Sequence, residues 1–177
     1  STIKGLTVYG SVYGKASASG IAAVNYGTIE DCASYVTVNA VGFRAAGIAA
    51  FDTGTIKGCS NYGDIGSKAT PYAYIGGISG YSDGGSILDC SNYGKISGGG
   101  NQIGGIAGDT DNNGAIANCR NCGEIVGTGN GYYVGGIVGV GTSWSITGCT
   151  NSGKVSGYQA VGGISGGNGI ISCCSNS

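Results

Sequence analysis

Cysteine, tyrosine and carboxylate are the side chains here that could do chemistry, and the 177 residues include no histidine. Six of the eight cysteines form one series, Cys32, Cys59, Cys90, Cys119, Cys149 and Cys174, and Leu6 opens it 26 residues ahead of Cys32. Leucine binds neither sulfur nor metal, so the position reads as packing, with cysteine serving as a small apolar residue. If successive members stack one strand spacing apart, about 4.8 Å, their Cα atoms come within the range a disulfide allows. Parallel in-register side chains point the same way, however, which gives poor bond geometry. Disulfide pairing stays open as the alternative, with Cys122 and Cys173, off the series, as the better candidates, although they sit two units apart, too far to bond each other. Cys119-x-x-Cys122 has no second such pair to complete a zinc site.

Tyr9, Tyr35, Tyr62 and Tyr93 each fall three residues after a member of the series. Alternation from an inward cysteine turns them outward, as a stripe of rings. The stripe either steadies neighbouring units, by about 0.5–1.5 kcal/mol per pair, or offers a platform to sugar rings. Tyr72, Tyr74, Tyr132, Tyr133 and Tyr158 precede the Gly-Gly-Ile-type segments on one loop edge, where binding residues sit on rigid scaffolds. Both groups are candidate ligand-binding residues. Asp109-Thr110-Asp111-Asn112-Asn113-Gly114 matches the first half of a calcium loop, with Asp109, Asp111 and Asn113 as candidate ligands. Arg120 stands where the bidentate glutamate belongs, and the plainer reading is an Asp/Asn-rich turn. No other cofactor is implied. The nine carboxylates are spread along the chain, and Glu30 and Asp31, adjacent in an extended segment, are expected to face opposite ways. A glycosidase needs two carboxylates facing one bond, so the chain is not expected to be an enzyme.

A repeat positions these residues. Its clearest copy runs Ile75-Gly76-Gly77-Ile78-Ser79-Gly80, then a polar loop, then residues 86–98; further copies start at Ile103 and Val134. The ladder position recurs every 25–31 residues, giving one repeat domain over 1–177. Its approximate units are 1–17 (partial), 18–44, 45–74, 75–102, 103–133, 134–160 and 161–177 (partial). Constant core segments with variable loops indicate a β-solenoid. Each unit is predicted to hold three short strands, as over 134–138, 145–149 and 154–156. Ile78, Ile87, Cys90 and Ile96 form the inward set of one coil, and Ile106, Ile116, Cys119 and Ile125 that of the next. The predicted fold is all-β, a parallel β-helix-like β-solenoid of about six coils. A propeller is the runner-up, but its blades need about 40–50 residues.

Composition narrows the function classes. Forty glycines with one proline and no three-residue period exclude collagen, and in-register isoleucine and valine with sparse charge argue against disorder. A net charge of −1 leaves no footprint for nucleic acid. No apolar run approaches the about 20 residues of a membrane-spanning helix, so membrane insertion is not expected either. The chain opens and closes inside a unit, as a segment of a longer protein would. Its uncapped ends would expose strand edges, so end-to-end self-association is a further expectation.

Gly-Gly-Ile-x-Gly, a loop, then Gly-x-Ile-x-x-Cys-x-Asn-x-Gly-x-Val-x-Gly resembles the GLUG repeat of large secreted and surface proteins of bacteria, including adhesins and some immunoglobulin A peptidases. The resemblance covers nearly the whole chain. It is good over 75–166 and looser at 19–23 and 46–50, where alanine replaces glycine. It implies an extracellular or bacterial cell-surface, non-catalytic repeat region. The expected function is structural and adhesive, a rigid rod presenting a surface to host or environmental glycans or proteins. The alternative is a carbohydrate-binding module using its surface tyrosines.

Overall fold

Branched residues alternate with serine, alanine and threonine over short runs, and glycine, asparagine or aspartate separates the runs, which makes short strands joined by tight corners. A computed structural model describes residues 1–68, 72–128 and 132–177. It is an all-β solenoid of about six turns, with no helix among the described residues and with successive turns paired in parallel. One turn runs Tyr74–Gly76, Ser79–Asp83, Ser86–Leu88, Ser91–Asn92 and Ile96–Gly98. Stacking makes four walls, in that order: a first of six strands, a second of five, a third of seven and a fourth of eleven. The fourth wall takes both final segments, which an earlier turn joins as the unbroken strand Ala33–Ala40. The Gly-Gly-Ile segment, predicted as one strand, is two strands with a corner at Gly77-Ile78.

Between the third wall and the cysteine series every turn has a left-handed corner: Gly5, Asp31, Gly58, Asp89, Asn118, Gly148 and Cys173, with φ between 53° and 64°. Glycine, asparagine and aspartate adopt that conformation with least strain, and only Cys173 departs from them. The corner takes the next backbone amide out of the strand ladder, and sulfur accepts it instead. Cys59 N–H donates to Cys90 Sγ at 3.4 Å, Cys90 N–H to Cys119 Sγ at 3.5 Å and Cys119 N–H to Cys149 Sγ at 3.4 Å. Leu6 N–H bonds Cys32 Sγ in the same way at 3.4 Å, although the Leu6 side chain is exposed on the first turn. All eight cysteines are free.

The interior is two parallel apolar columns. One holds the third-wall isoleucines, including Ile56, Ile87 and Ile116, with the cysteines and the single tryptophan, Trp144. The other joins Ile65, Ile96 and Ile125 to Ile75, Ile103 and Val134. Between them stands a ladder of stacked asparagines. Asn61 Nδ2 donates to Asn92 Oδ1 at 2.8 Å, Asn92 to Asn121 at 2.8 Å, Asn121 to Asn151 at 2.7 Å and Asn151 to Asn176 at 2.7 Å. Each of the first four amides also donates to the glycine carbonyl two residues on, as Asn92 to Gly94 at 2.9 Å. The ladder meets the second glycine of Gly-Gly-Ile across the interior: a Cβ on Gly77 would lie 2.5 Å from Asn92 Cγ. Below Asn61 the column holds Ser34, whose hydroxyl accepts Val36 N–H at 3.4 Å, and Asn61 Oδ1 is left without a donor.

A second polar column lies inside the second wall, where Asn25, Asp52, Ser82 and Thr110 are buried in register. Asn25 Nδ2 donates to Asp52 Oδ1 at 2.6 Å and Ser82 Oγ to Oδ2 at 3.3 Å, and no described Lys or Arg pairs with the carboxyl. Burial raises its pKa against the pull of these hydrogen bonds. The folded state therefore holds the proton more tightly than the unfolded chain, whose carboxyl titrates near 3.9. Stability contributed by this proton is full below about pH 4 and is lost as pH rises through the raised pKa. Asp52→Asn is expected to melt above the parent protein at pH 8, with the gap closing toward pH 4, as read by Trp144 fluorescence. A gap independent of pH would show that ionisation of Asp52 is not its source.

Candidate functional site

The inward corner shapes the outside as well. Because the chain dips at the second glycine to meet asparagine, the first and second walls turn their outer faces toward each other, and a seam runs along the rod. Small residues let the two walls close: a Cβ on Gly108 would lie 2.5 Å from the Ile75 amide nitrogen. The first wall lines the seam with Ser17, Arg44, Tyr74, Gln102, Tyr133 and Ala160 in register. The second wall lines it with Val24, Phe51, Tyr81, Asp109 and Val140. Partners meet across it. Arg44 Cζ lies 4.8 Å from the centre of the Phe51 ring, and Tyr74 stacks on Tyr81 with centroids 5.2 Å apart. Along the rod Phe51 and Tyr81 pack at 5.6 Å, tilted by 37°, and exposed Tyr26 stands edge-on to Phe51 at 6.4 Å.

Charge changes sign along the seam. Arg44 lies at one end, and two turns on come Asp109 and Asp111. Stacking also puts Asp83, from the preceding turn, in register with Asp111. Tyr81 Oη donates to Asp111 Oδ2 at 3.1 Å, the Thr142 hydroxyl donates to the other oxygen, and the Asn112 amide donates to Asp83. Burial pushes the Asp109 carboxyl up to about 6, against a 2.6 Å hydrogen bond from Thr110 N–H. Burial, followed by the charge of Asp111, also raises the Tyr81 hydroxyl. The calcium half-motif is folded as the end of the strand Ala107–Asp111 and a turn in which Asn112 and Asn113 are both left-handed, with φ of 59° and 61°. Asp111 is already hydrogen-bonded on both oxygens, and among the described residues no three His, Cys, Asp or Glu side chains come together as metal ligands.

The tyrosine stripe stands where alternation puts it, outward on the fourth wall. Tyr9, Tyr35, Tyr62 and Tyr93 stack at 4.9, 4.6 and 4.9 Å, within 13° of parallel. The loop tyrosines do not form one cluster. Tyr74 and Tyr133 share a column with Gln102 between them, two turns or about 10 Å apart. Tyr132 is one place outside the strand that Tyr133 opens. Tyr72 and Tyr158, both exposed, occupy equivalent places three turns apart. Of these five, Tyr74 and Tyr133 line the seam, and Tyr74 stacks on Tyr81. Arg44, Phe51 and Tyr81 went unread in the sequence, although Val24, Phe51, Tyr81, Asp109 and Val140 each fall three residues after the motif isoleucine. Glu30 and Asp31 do not face apart: Asp31 is at the left-handed corner, and Lys4 Nζ reaches Glu30 at 3.0 Å and Asp31 at 3.7 Å.

Walls, ladders and repeated corners define the class, a parallel β-solenoid repeat domain. Within it residues 130–156 match the family described as the GLUG motif. This span holds Val134-Gly135-Gly136-Ile137, Cys149 and Asn151-Ser152-Gly153, so the chain carries that motif as its pattern implied. No curated protein matches the chain. Among solved structures it is similar to a Bacteroides ovatus protein provisionally named an immunoglobulin A1 protease, with a TM-score of 0.56 and 24% identity over 82% of this chain. The match spans 57% of that protein's chain, and the likeness is one of fold. A GLUG repeat on a β-solenoid fits a repeat domain of an extracellular protein.

Proposed function

We propose that the chain is a non-catalytic, adhesive rod segment of a secreted or surface-attached bacterial protein, and that the seam is its glycan-binding strip. The reading is supported above all by one observation: Phe51, Tyr74 and Tyr81 are gathered from neighbouring turns into a half-buried row bordered by an arginine and carboxylates. Apolar ring surface with a few fixed polar groups is how ligand sites are built. In-register sheets on four sides supply the rigid scaffold. The existing hydrogen bonds to Asp111 suit a fixed acceptor of sugar hydroxyls better than acid–base turnover.

A glycan array followed by titration calorimetry tests this. If stacking on a sugar is worth as much per ring as an aromatic pair, about 0.5–1.5 kcal/mol, Phe51→Ala with Tyr81→Ala is expected to weaken binding at least about fivefold. Tyr62→Ala in the stripe is expected to leave affinity unchanged. Binding lost in the stripe variant and kept in the seam variant would move the site. No binding by a folded, monodisperse sample would leave the rod alone.

A further inference from the structure

We propose that Arg44 makes its end of the seam a receptor for carboxylated sugars, uronates or sialates; this rests on the glycan-binding reading above. The Arg44 guanidinium lies 4.8 Å from the Phe51 ring centre and 5.6 Å from that of Tyr81. It makes no ion pair with any described residue, and its Nε is buried without an acceptor. Lys4 and Lys95, by contrast, are engaged by Glu30 and Glu124 at 3.0 and 2.8 Å. A guanidinium held against aromatic rings has less freedom left to lose, and its donor fork matches a carboxylate in two parallel hydrogen bonds. The rings beside it offer apolar surface to the C–H face of a pyranose. Carboxylate recognition and sugar stacking thus lie side by side.

The seam also orients such a ligand. Phe51, Tyr81 and Asp109 are successive members of one column, which places Asp109 about 10 Å along the rod from Phe51. Asp109 and Asp111 repel an acidic group at that end, and Asp109 Oδ2 accepts from no described hydrogen-bond donor while Oδ1 takes Thr110 N–H. A chain with its carboxylate on Arg44 and neutral hydroxyls toward Asp109 satisfies both ends. The distance is about two strand spacings, within reach of a short oligosaccharide.

The test is calorimetric titration with 3′-sialyllactose, trigalacturonic acid and neutral lactose at low salt. At least one acidic sugar is expected to bind about tenfold or more tightly than lactose, with the preference shrinking as salt rises. Arg44→Gln is expected to abolish the preference, Arg44→Lys to restore part of it, and Tyr62→Ala to leave it intact. Which acid binds distinguishes a sialate from a uronate receptor. Acidic and neutral sugars binding alike, or a preference that survives Arg44→Gln, would overturn the proposal. Should Arg44→Gln fail to fold, the comparison of acidic with neutral sugar on the parent protein still decides. Neutral glycans bound at the seam without acid preference would sink this inference and leave the glycan reading standing; no sugar bound at all would sink both.

Discussion

Asn121→Ala is expected to destabilise the rod by about 3–5 kcal/mol, among the largest effects of any single side-chain truncation here. Asn121 is buried and bonded on every side: its Nδ2 donates to Asn151 Oδ1 at 2.7 Å and Gly123 O at 2.9 Å, and its Oδ1 accepts from Asn92 Nδ2 at 2.8 Å. Truncation takes a partner from Asn92, Asn151 and the Gly123 carbonyl at a fully buried position, at about 1–3 kcal/mol for each buried group left unmade. The chain of amides also polarises along its length, so a break in the middle weakens the bonds on either side. Asn61→Ala is expected to cost roughly half as much, because Asn61 Oδ1 has no donor to lose. Denaturant unfolding followed by Trp144 fluorescence measures both. Hydrogen exchange should localise the damage to the turns flanking Asn121, since each turn contacts only its neighbours. Equal costs for the two variants would show that the ladder is not the source.

Gly105→Ala is expected to cost at least as much as overpacking usually does, about 3 kcal/mol or more, or to prevent folding. A Cβ there would overlap both the Asn121 side chain and the Gly136 carbonyl oxygen of the next turn. The first overlap is with a side chain; the second is with backbone that the fourfold sheet frame holds in place. Asn121→Ala in the same chain is therefore not expected to rescue Gly105→Ala, and a rescue would show that the side-chain overlap dominates. Gly66→Ala is the control. Its Cβ would lie 3.4 Å from Asn39 Oδ1 with nothing closer. In a strand that change is expected to be neutral or to stabilise by about 0.4–1 kcal/mol, through the unfolded chain.

Much of the architecture is legible in the sequence because a solenoid repeats its constraints. The cysteine series fixes the turn length, Ile87 and Ile116 mark the buried face, and three-residue spacing from cysteine to tyrosine places the stripe outward, all as found. Asn92 and Gly77 are visible in every good copy, yet nothing along the chain says that they touch. Fifteen residues separate them, and their contact exists only after the corner turns inward.

The sequence by itself determined the period, the parallel stacking and the inward columns, since these follow from residue type and spacing that recur at each turn. Tertiary structure alone decided the rest. It split Gly-Gly-Ile into two strands and divided the core at the asparagine ladder. It also brought Arg44, Phe51, Tyr74, Tyr81 and Asp109 to one seam. The physical reason is that a seam forms between walls: its members sit at unlike positions of the repeat, so no single column of the sequence carries it. They meet because the Asn–Gly contact draws the first and second walls together, an event of packing rather than of local preference.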